Sequence, residues 1–340
     1  MRYRLLGSSG VRVSELALGT ALFGVAPTAA EATAFVARAA DAGINLIDTA
    51  NSYGNQPRFD REGVPAAAQR ESAEEIVGRA IAGRRDEFVL STKVSEPVGD
   101  GPNDGSYDGG GLSRLHVMRL VERSLRRLRT DHIDIYYAHR PDPLTRIEDT
   151  LATFDLLIRQ GKIRYYALSN YPGWRLAEAV LTARRLGLHE PVCHQIRYSL
   201  SRRDPEREML PAGRHLGIDT VVFGALGGGL FAGDGRFRRY SGGARWGGPG
   251  HSAAELALAE HVVACSERWG TSSAQVALAW ALSRPGIASV IVGPESVAEF
   301  EELLPAVDLQ LGPDRIAELE APAGPAADAP RPTAGSAPAR

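Results

Sequence analysis

Ile44-Asn45-Leu46-Ile47-Asp48-Thr49-Ala50-Asn51-Ser52-Tyr53-Gly54 is the stretch on which the reading of this chain turns. A mostly apolar run ends in an acid, a few small polar residues, a tyrosine and a glycine. The run reads as a buried strand, and its end delivers side chains to one rim of a sheet. Asp48 and Tyr53 are thereby candidates for paired chemistry. Two other apolar runs end in ionisable residues, Ser91-Thr92-Lys93 and Tyr136-Tyr137-Ala138-His139.

Outward from that stretch, apolar runs at 16–20, 46–50, 88–94, 133–138, 164–169, 192–198, 220–226 and 288–293 read as strands. Helical spacing follows each of them. The clearest case is 113–129, where Leu115, Met118, Val121, Leu125 and Leu128 share one broad face. Residues 2–6 and 11–13 flank Gly7-Ser8-Ser9-Gly10 and read as a short β-hairpin. Eight strand–helix units imply a parallel sheet with crossover helices. No glycine-rich dinucleotide fingerprint follows the first strand. The α/β fold expected is therefore a closed (β/α)8 TIM barrel rather than a doubly wound sheet. The barrel is expected over 1–320, with the N-terminal hairpin and with long loops at the C-terminal face (55–70, 95–112, 227–250). The Ala- and Pro-rich tail, 321–340, is expected to be disordered. In such a barrel the C-terminal strand ends converge, which would bring Asp48, Tyr53, Lys93 and His139 together.

Composition narrows the classes. The 340 residues carry a net charge of −2, which argues against nucleic acid and anionic membrane as partners. Cys193 and Cys265 lack zinc-like spacing, no metal site is expected, and two cysteines make no disulfide framework. A reducing cytoplasm is the expected compartment. The opening residues lack the apolar core of a signal peptide, and no apolar run is long enough for a membrane span.

The four strand-end residues suit one kind of chemistry. A tyrosine gives up its proton only near pH 10. A neighbouring ammonium, Lys93, stabilises the phenolate and lowers that value. Asp48 can hold Lys93 charged, and His139 can donate to a substrate oxygen. A general acid beside a polarised carbonyl fits reduction of a ketone or aldehyde by an external hydride. Taken singly, each residue has a plainer reading: a capping Asp, a packing Tyr, a solvated Lys, a structural His. Four such residues on one face is the coincidence that the plainer reading must explain four times.

These motifs resemble those of the aldo-keto reductases. The matching words are Asp48 to Gly54, Ser91-Thr92-Lys93, His132-Ile133-Asp134-Ile135-Tyr136 through His139, and Gly161-Lys162-Ile163-Arg164 leading to Ser169-Asn170. The resemblance spans roughly 2–310 and implies Tyr53 as proton donor, Lys93 and Asp48 as its tuning pair, and His139 as the carbonyl-orienting residue. It also implies NADPH, with NADH as the alternative, bound without a Rossmann domain. Ser169, Asn170 and Gln195 would hold the carboxamide, and Tyr198 would stack on the nicotinamide. Phe223, Gly224, Ala225, Leu226, Gly227 and Gly229 would follow the pyrophosphate. Gly293, Ser296 and Glu299 would meet the adenosine end, and Gly19 and Thr20 the cofactor at the first strand end. Within the family, Gly109-Gly110-Gly111-Leu112-Ser113 and His194-Gln195 are similar to the branch of potassium-channel beta subunits and of bacterial deoxysugar and polyketide side-chain ketoreductases.

Departures from the family pattern matter for the cofactor. His194 replaces an Asn, Phe223-Gly224 replaces Ser-Pro, and Asp234 stands where many relatives have Lys. Glu299 and Leu303 replace Gln and Asn toward adenine, and residues 294–304 contain no Lys or Arg. Any 2′-phosphate contact would then fall to Arg236, Arg238 and Arg239. A small-molecule carbonyl is the expected partner: a keto-deoxysugar nucleotide or a natural-product ketone, with Trp246, Tyr107, Phe59 and Phe231 as candidate apolar wall. An NAD-dependent sugar dehydrogenase and a cofactor-binding regulatory subunit with vestigial catalysis are the alternatives. Homo-oligomerisation stays open.

Overall fold

The computed structural model describes residues 1–60, 62–105, 111–232 and 250–323. The chain begins with a two-stranded antiparallel hairpin, β1 (Tyr3–Leu5) and β2 (Arg12–Ser14). Eight parallel strands follow: β3 (Leu16–Gly19), β4 (Leu46–Asp48), β5 (Val89–Val94), β6 (Ile133–Ala138), β7 (Ile163–Ser169), β8 (Cys193–Arg197), β9 (Asp219–Phe223) and β10 (Ile287–Val292). They pair in sequence order, and β10 closes on both β9 and β3 to make a barrel. The expected (β/α)8 barrel with its N-terminal hairpin is borne out.

The helices are α1 (Ala32–Asp41), α2 (Ala73–Ala80), α3 (Arg114–Leu128), α4 (Ile147–Arg159), α5 (Gly173–Leu186), α6 (Met209–Leu216), α7 (Ala253–Arg268), α8 (Ser273–Leu282), α9 (Val297–Leu303) and α10 (Pro313–Glu320). Local sequence explains several starts. Ser72 and Glu75 form a reciprocal capping box on α2, as Ser252 and Glu255 do on α7. Helix α10 lies beyond the last helix read from the sequence. A single apolar residue, Leu319, is fully buried on it, so its pattern carries little periodicity. A short 3-10 turn (Asp204–Glu206) precedes α6.

Strand side chains alternate between two environments. Ala17, Leu46, Ile135, Tyr137, Ala167, Cys193 and Val221 fill the barrel interior. Leu16, Leu18, Ile47, Tyr136, Leu168, Ile196 and Val222 face the helices in a separate, larger core. The hairpin plugs the N-terminal end, with Leu6 and Val13 in the interior cluster. It is tied there by Gly7 N–H to Asp219 (2.8 Å) and by Arg4 to the carbonyls of Leu282 (2.9 Å) and Ile287 (2.7 Å). The plug leaves the C-terminal strand ends as the open mouth. Ala321–Ala323, the start of the tail expected to be disordered, forms a short 3-10 turn instead, and 324–340 lies outside the described residues.

Helices α2 and α3 approach closely at Gly78. A Cβ added there would lie 2.5 Å from the Arg127 carbonyl oxygen and 2.8 Å from Leu128 Cα. Gly to Ala inside a helix ordinarily stabilises by about 1 kcal/mol. Here Gly78→Ala is expected to cost about 1–3 kcal/mol instead, because the helices must part. Urea unfolding measures it, and a gain in stability would refute the close approach.

Candidate active site

At the end of β4, period-two alternation sends Leu46 inward, Ile47 outward and Asp48 inward. On β5 it sends Thr92 out to Glu74 of α2 (2.7 Å) and Lys93 in. Lys93 is wholly buried, and its ammonium donates to Asp48 Oδ2 (2.5 Å) and to the Thr49 carbonyl (2.8 Å). The other Asp48 oxygen accepts from Ser91 (2.9 Å) and from the Gln195 amide (2.8 Å). Both carboxylate oxygens are thus committed. Burial opposes the Lys93 charge, but Asp48 and then Tyr53 outweigh it and hold the ammonium above its ordinary range.

Tyr53 stands over this pair. Lys93 Nζ lies 4.9 Å from its ring centroid, and the phenol hydrogen-bonds with the ammonium. The turn that presents Tyr53 ends at Gly54, φ +85°. A Cβ there would sit 2.7 Å from the Phe23 carbonyl oxygen and 2.8 Å from Ala73 N. Only glycine fits that conformation and spacing. His139 follows β6 and meets Tyr53 edge-on, ring centroids 5.9 Å apart. Glu96 Oε1 lies 3.7 Å from His139 Nδ1 and accepts from Arg140 Nε at 3.1 Å.

These groups surround a cleft of about 370 Å³ at the barrel mouth. Asp48, Tyr53 and His139 line it, while Lys93 lies beneath. The loop after Tyr53 brings Phe59 to the wall, as expected. Its shape depends on Arg70, which is buried and donates to the carbonyls of Gly54 (2.8 Å), Gln56 (2.9 Å) and Pro65 (2.5 Å). Sequence reading did not single out Arg70 or Glu96.

Several residues expected at the cofactor do line the cleft: Gly19, Thr20, Gln195, Phe223, Gly224, Ala225, Leu226, Gly229 and Gly293. Thr20 also holds the Asp48 carbonyl through its hydroxyl (3.0 Å). Space over Gly293 is open, since an added Cβ would meet nothing nearer than the Gly19 carbonyl at 4.0 Å. A cleft floored by Gly19 and Gly293 and edged by the Phe223 ring and a glycine turn suits a flat ring with a phosphate chain.

Other placements differ. Tyr198 does not reach the cleft. It faces outward, stacks on Trp280 of α8 (centroids 5.0 Å) and donates to Glu206 (2.6 Å). Phe223, at the end of β9, lines the cleft where Tyr198 does not. Ser169 and Asn170 lie beside the cleft without lining it; the Asn170 amide donates to Ser169 (3.1 Å) and to the His139 carbonyl (2.9 Å). Ser296 caps α9 by accepting from Glu299 N–H (3.2 Å), and Glu299 accepts from Glu295 N–H (3.0 Å), so neither faces the cleft wall. Gly227 is buried inside its turn, and Phe231 packs in the outer core. His194 faces outward, where burial pushes its imidazole down to about 4 and keeps it neutral. Arg236, Arg238, Arg239, Tyr107 and Trp246 lie outside the described residues. No cluster of metal-binding side chains occurs among the described residues, and no helix there is long and apolar enough to cross a membrane.

Residues 15–323 match the model of the aldo/keto reductase family. The chain is 37% identical to an "uncharacterized oxidoreductase YrpG" of Bacillus subtilis (strain 168), over 92% of each chain. It is 32% identical to a "probable voltage-gated potassium channel subunit beta" of Oryza sativa subsp. japonica, over 94% of this chain and 96% of the relative. It is also 32% identical to the "norsolorinic acid reductase stcV" of Emericella nidulans, over 92% of this chain and 79% of the relative. These relatives bear out the branch that the motifs suggested.

The buried pair sets a stability test. Asp48→Asn leaves the Lys93 ammonium without its counter-charge, and about 3 kcal/mol of stability is expected to go at neutral pH. In the wild type Lys93 sits above its ordinary 10.5, so its contribution is complete below that pH and is lost as pH rises through the raised value. The variant should show a different alkaline dependence, because burial then acts unopposed. Urea unfolding from pH 7 to 10 measures both, and an unchanged midpoint would contradict the pairing.

Proposed function

The chain belongs to the aldo/keto reductase family, and on that premise we propose that it reduces a ketone or aldehyde to an alcohol with NADPH as hydride donor. It is an oxidoreductase of the NAD(P)H-dependent kind. The observation that carries the finer reading is the phenol of Tyr53, placed at a cleft wall directly over a wholly buried ammonium.

Bound at the cleft, the reduced nicotinamide supplies the hydride. Everything else is work for the chain's own side chains. Tyr53 delivers the proton to the carbonyl oxygen, and the Lys93 ammonium stabilises the phenolate left behind. Asp48 keeps Lys93 charged, and Ser91 and Gln195 keep Asp48 in place. His139, edge-on to Tyr53, holds the same carbonyl oxygen from the other side. Phe223 offers a face to the nicotinamide. Gly19, Thr20, Gly224, Ala225, Leu226, Gly229 and Gly293 let backbone approach the rest of the dinucleotide. Ser169 and Asn170 stand beside that wall.

The substrate proposed is a ketone larger than a simple aldehyde, a keto-deoxysugar nucleotide or a natural-product ketone. The long mouth loops support it, as does the relative whose name carries norsolorinic acid. The potassium-channel relatives suggest a regulatory subunit as the second reading; the four residues held together here favour turnover. Two buried free cysteines accord with a cytoplasmic setting.

Tyr53→Phe removes the acid and leaves the nicotinamide site, so turnover should fall by about 100-fold or more while dinucleotide affinity holds. Near wild-type turnover on a validated ketone would end the assignment. Choice of cofactor is tested separately. Helix α9 and its approach carry Glu295, Glu299, Glu301 and Glu302 and no cation. NADPH preference therefore draws on Arg236, Arg238 and Arg239, and replacing all three by Ala should weaken NADPH far more than NADH. Equal losses, or a wild-type preference for NADH, would reject it.

A further inference from the structure

Strand β8 turns Cys193, Gln195 and Arg197 toward the barrel axis, and Arg197 is the last of them before the mouth. Its side chain leans across the end of β9. Cγ, Nε and Cδ lie 3.3, 3.6 and 3.9 Å from where a Cβ of Gly224 would stand. Gly224, at φ +70°, leaves that room. Arg197 lines the cleft beside Gly224, Gly228 and Gly229, and it is the one Lys or Arg in the cleft wall among the described residues.

The guanidinium makes no hydrogen bond and no ion pair within the described residues. Arg202, Glu255 and Asp204 reach it only through their fields. Every other arginine that frames this site is committed. Arg70 is spent on loop carbonyls, Arg127 on Glu74 and Arg140 on Glu96. A guanidinium stays charged at neutral pH, and one at a cleft wall with no paired carboxylate among the described residues is suited to an oxyanion.

The glycine turn sharpens the point. Gly227 N–H already donates to the Gly224 carbonyl (2.9 Å), and Gly229 N–H to the Leu226 carbonyl (3.0 Å). Two of the turn's three amides are engaged within it, so backbone donors alone leave much of a diphosphate's charge unmet. Resting on the dinucleotide reading above, we infer that Arg197 grips the diphosphate bridge of the nicotinamide dinucleotide, supplying the cation from β8 rather than from the glycine turn. Arg197 ends β8, the strand paired with the one that leads into that turn, and reaches the phosphates across Gly224.

Binding measurements test this without turnover. Dissociation constants for NADPH, NADH and ADP-ribose are determined by calorimetry on the wild type, Arg197→Gln and Arg197→Lys. ADP-ribose carries the diphosphate without the nicotinamide. Arg197→Gln should weaken all three by a common factor of about 10- to 100-fold, and Arg197→Lys should recover part of the loss. Thermal midpoints should stay level, since the side chain holds no hydrogen-bond or ion-pair partner among the described residues. Unchanged affinities would overturn the inference. A loss confined to NADPH would place the contact at the 2′-phosphate and overturn it too. Failure of the wild type to bind either dinucleotide would instead strike at the cofactor reading, and the inference would fall with it.

Discussion

An ammonium that no water touches must find its counter-charge inside the protein, and at Lys93 that requirement organises the mouth of the barrel. Asp48 meets it with one oxygen, and the other oxygen recruits Ser91 and Gln195. A single carboxylate thereby ties β4, β5 and β8 together across the barrel axis. Tyr53 then sits over a fixed charge rather than over a mobile side chain. The turn that carries it is pinned as well: Asn51 N–H donates to the Lys93 carbonyl (3.3 Å) and Ala73 N–H to the Tyr53 carbonyl (3.0 Å). Preorganisation of this kind is what lets a phenol respond to a neighbouring charge without waiting for the protein to rearrange.

Beneath the mouth, the same strands serve two cores. Inward residues are few and mixed in size, and the hairpin seals them below. Outward residues join the helices in one large apolar layer. Glu74 is a charged exception in that layer. It is wholly buried on α2, and it bonds to Thr92 (2.7 Å) and Arg127 (3.3 Å), so its charge is answered where it lies. Arg127 goes on to the Asn51 carbonyl (3.2 Å), linking the outer layer to the turn that carries Tyr53.

The barrel was legible because strand and helix periods alternate in the sequence with little interruption. The four strand-end residues were legible because chemistry-bearing side chains rarely close three apolar runs in one chain. Two errors share a cause. Tyr198 was assigned to the ring stack and Arg197 was passed over, yet on β8 they have opposite parity. Gln195 points inward, so Arg197 must, and Tyr198 cannot. Counting by twos from Gln195 would have corrected both. Arg70 and Glu96 carried no comparable signal, because their roles depend on contacts across loops that have no period. Ser296 and Glu299 were read toward a ligand, whereas the start of α9 uses them for its own capping.

The closing seam of the barrel has a consequence for how the chain must fold. Ser289 on β10 donates to the Ser14 carbonyl across 275 residues, and Arg4 reaches Leu282 and Ile287 over similar spans. The first strand therefore waits for the last. Until β10 emerges from the ribosome, β3 and β9 both present unpaired edges, the kind that pair with the wrong neighbour. Closure joins residues far apart in the chain, and contacts of such high order slow folding. Once closed, the same seam leaves no edge strand in the barrel, so the long-range step in assembly and the resistance to local opening arise from one set of contacts.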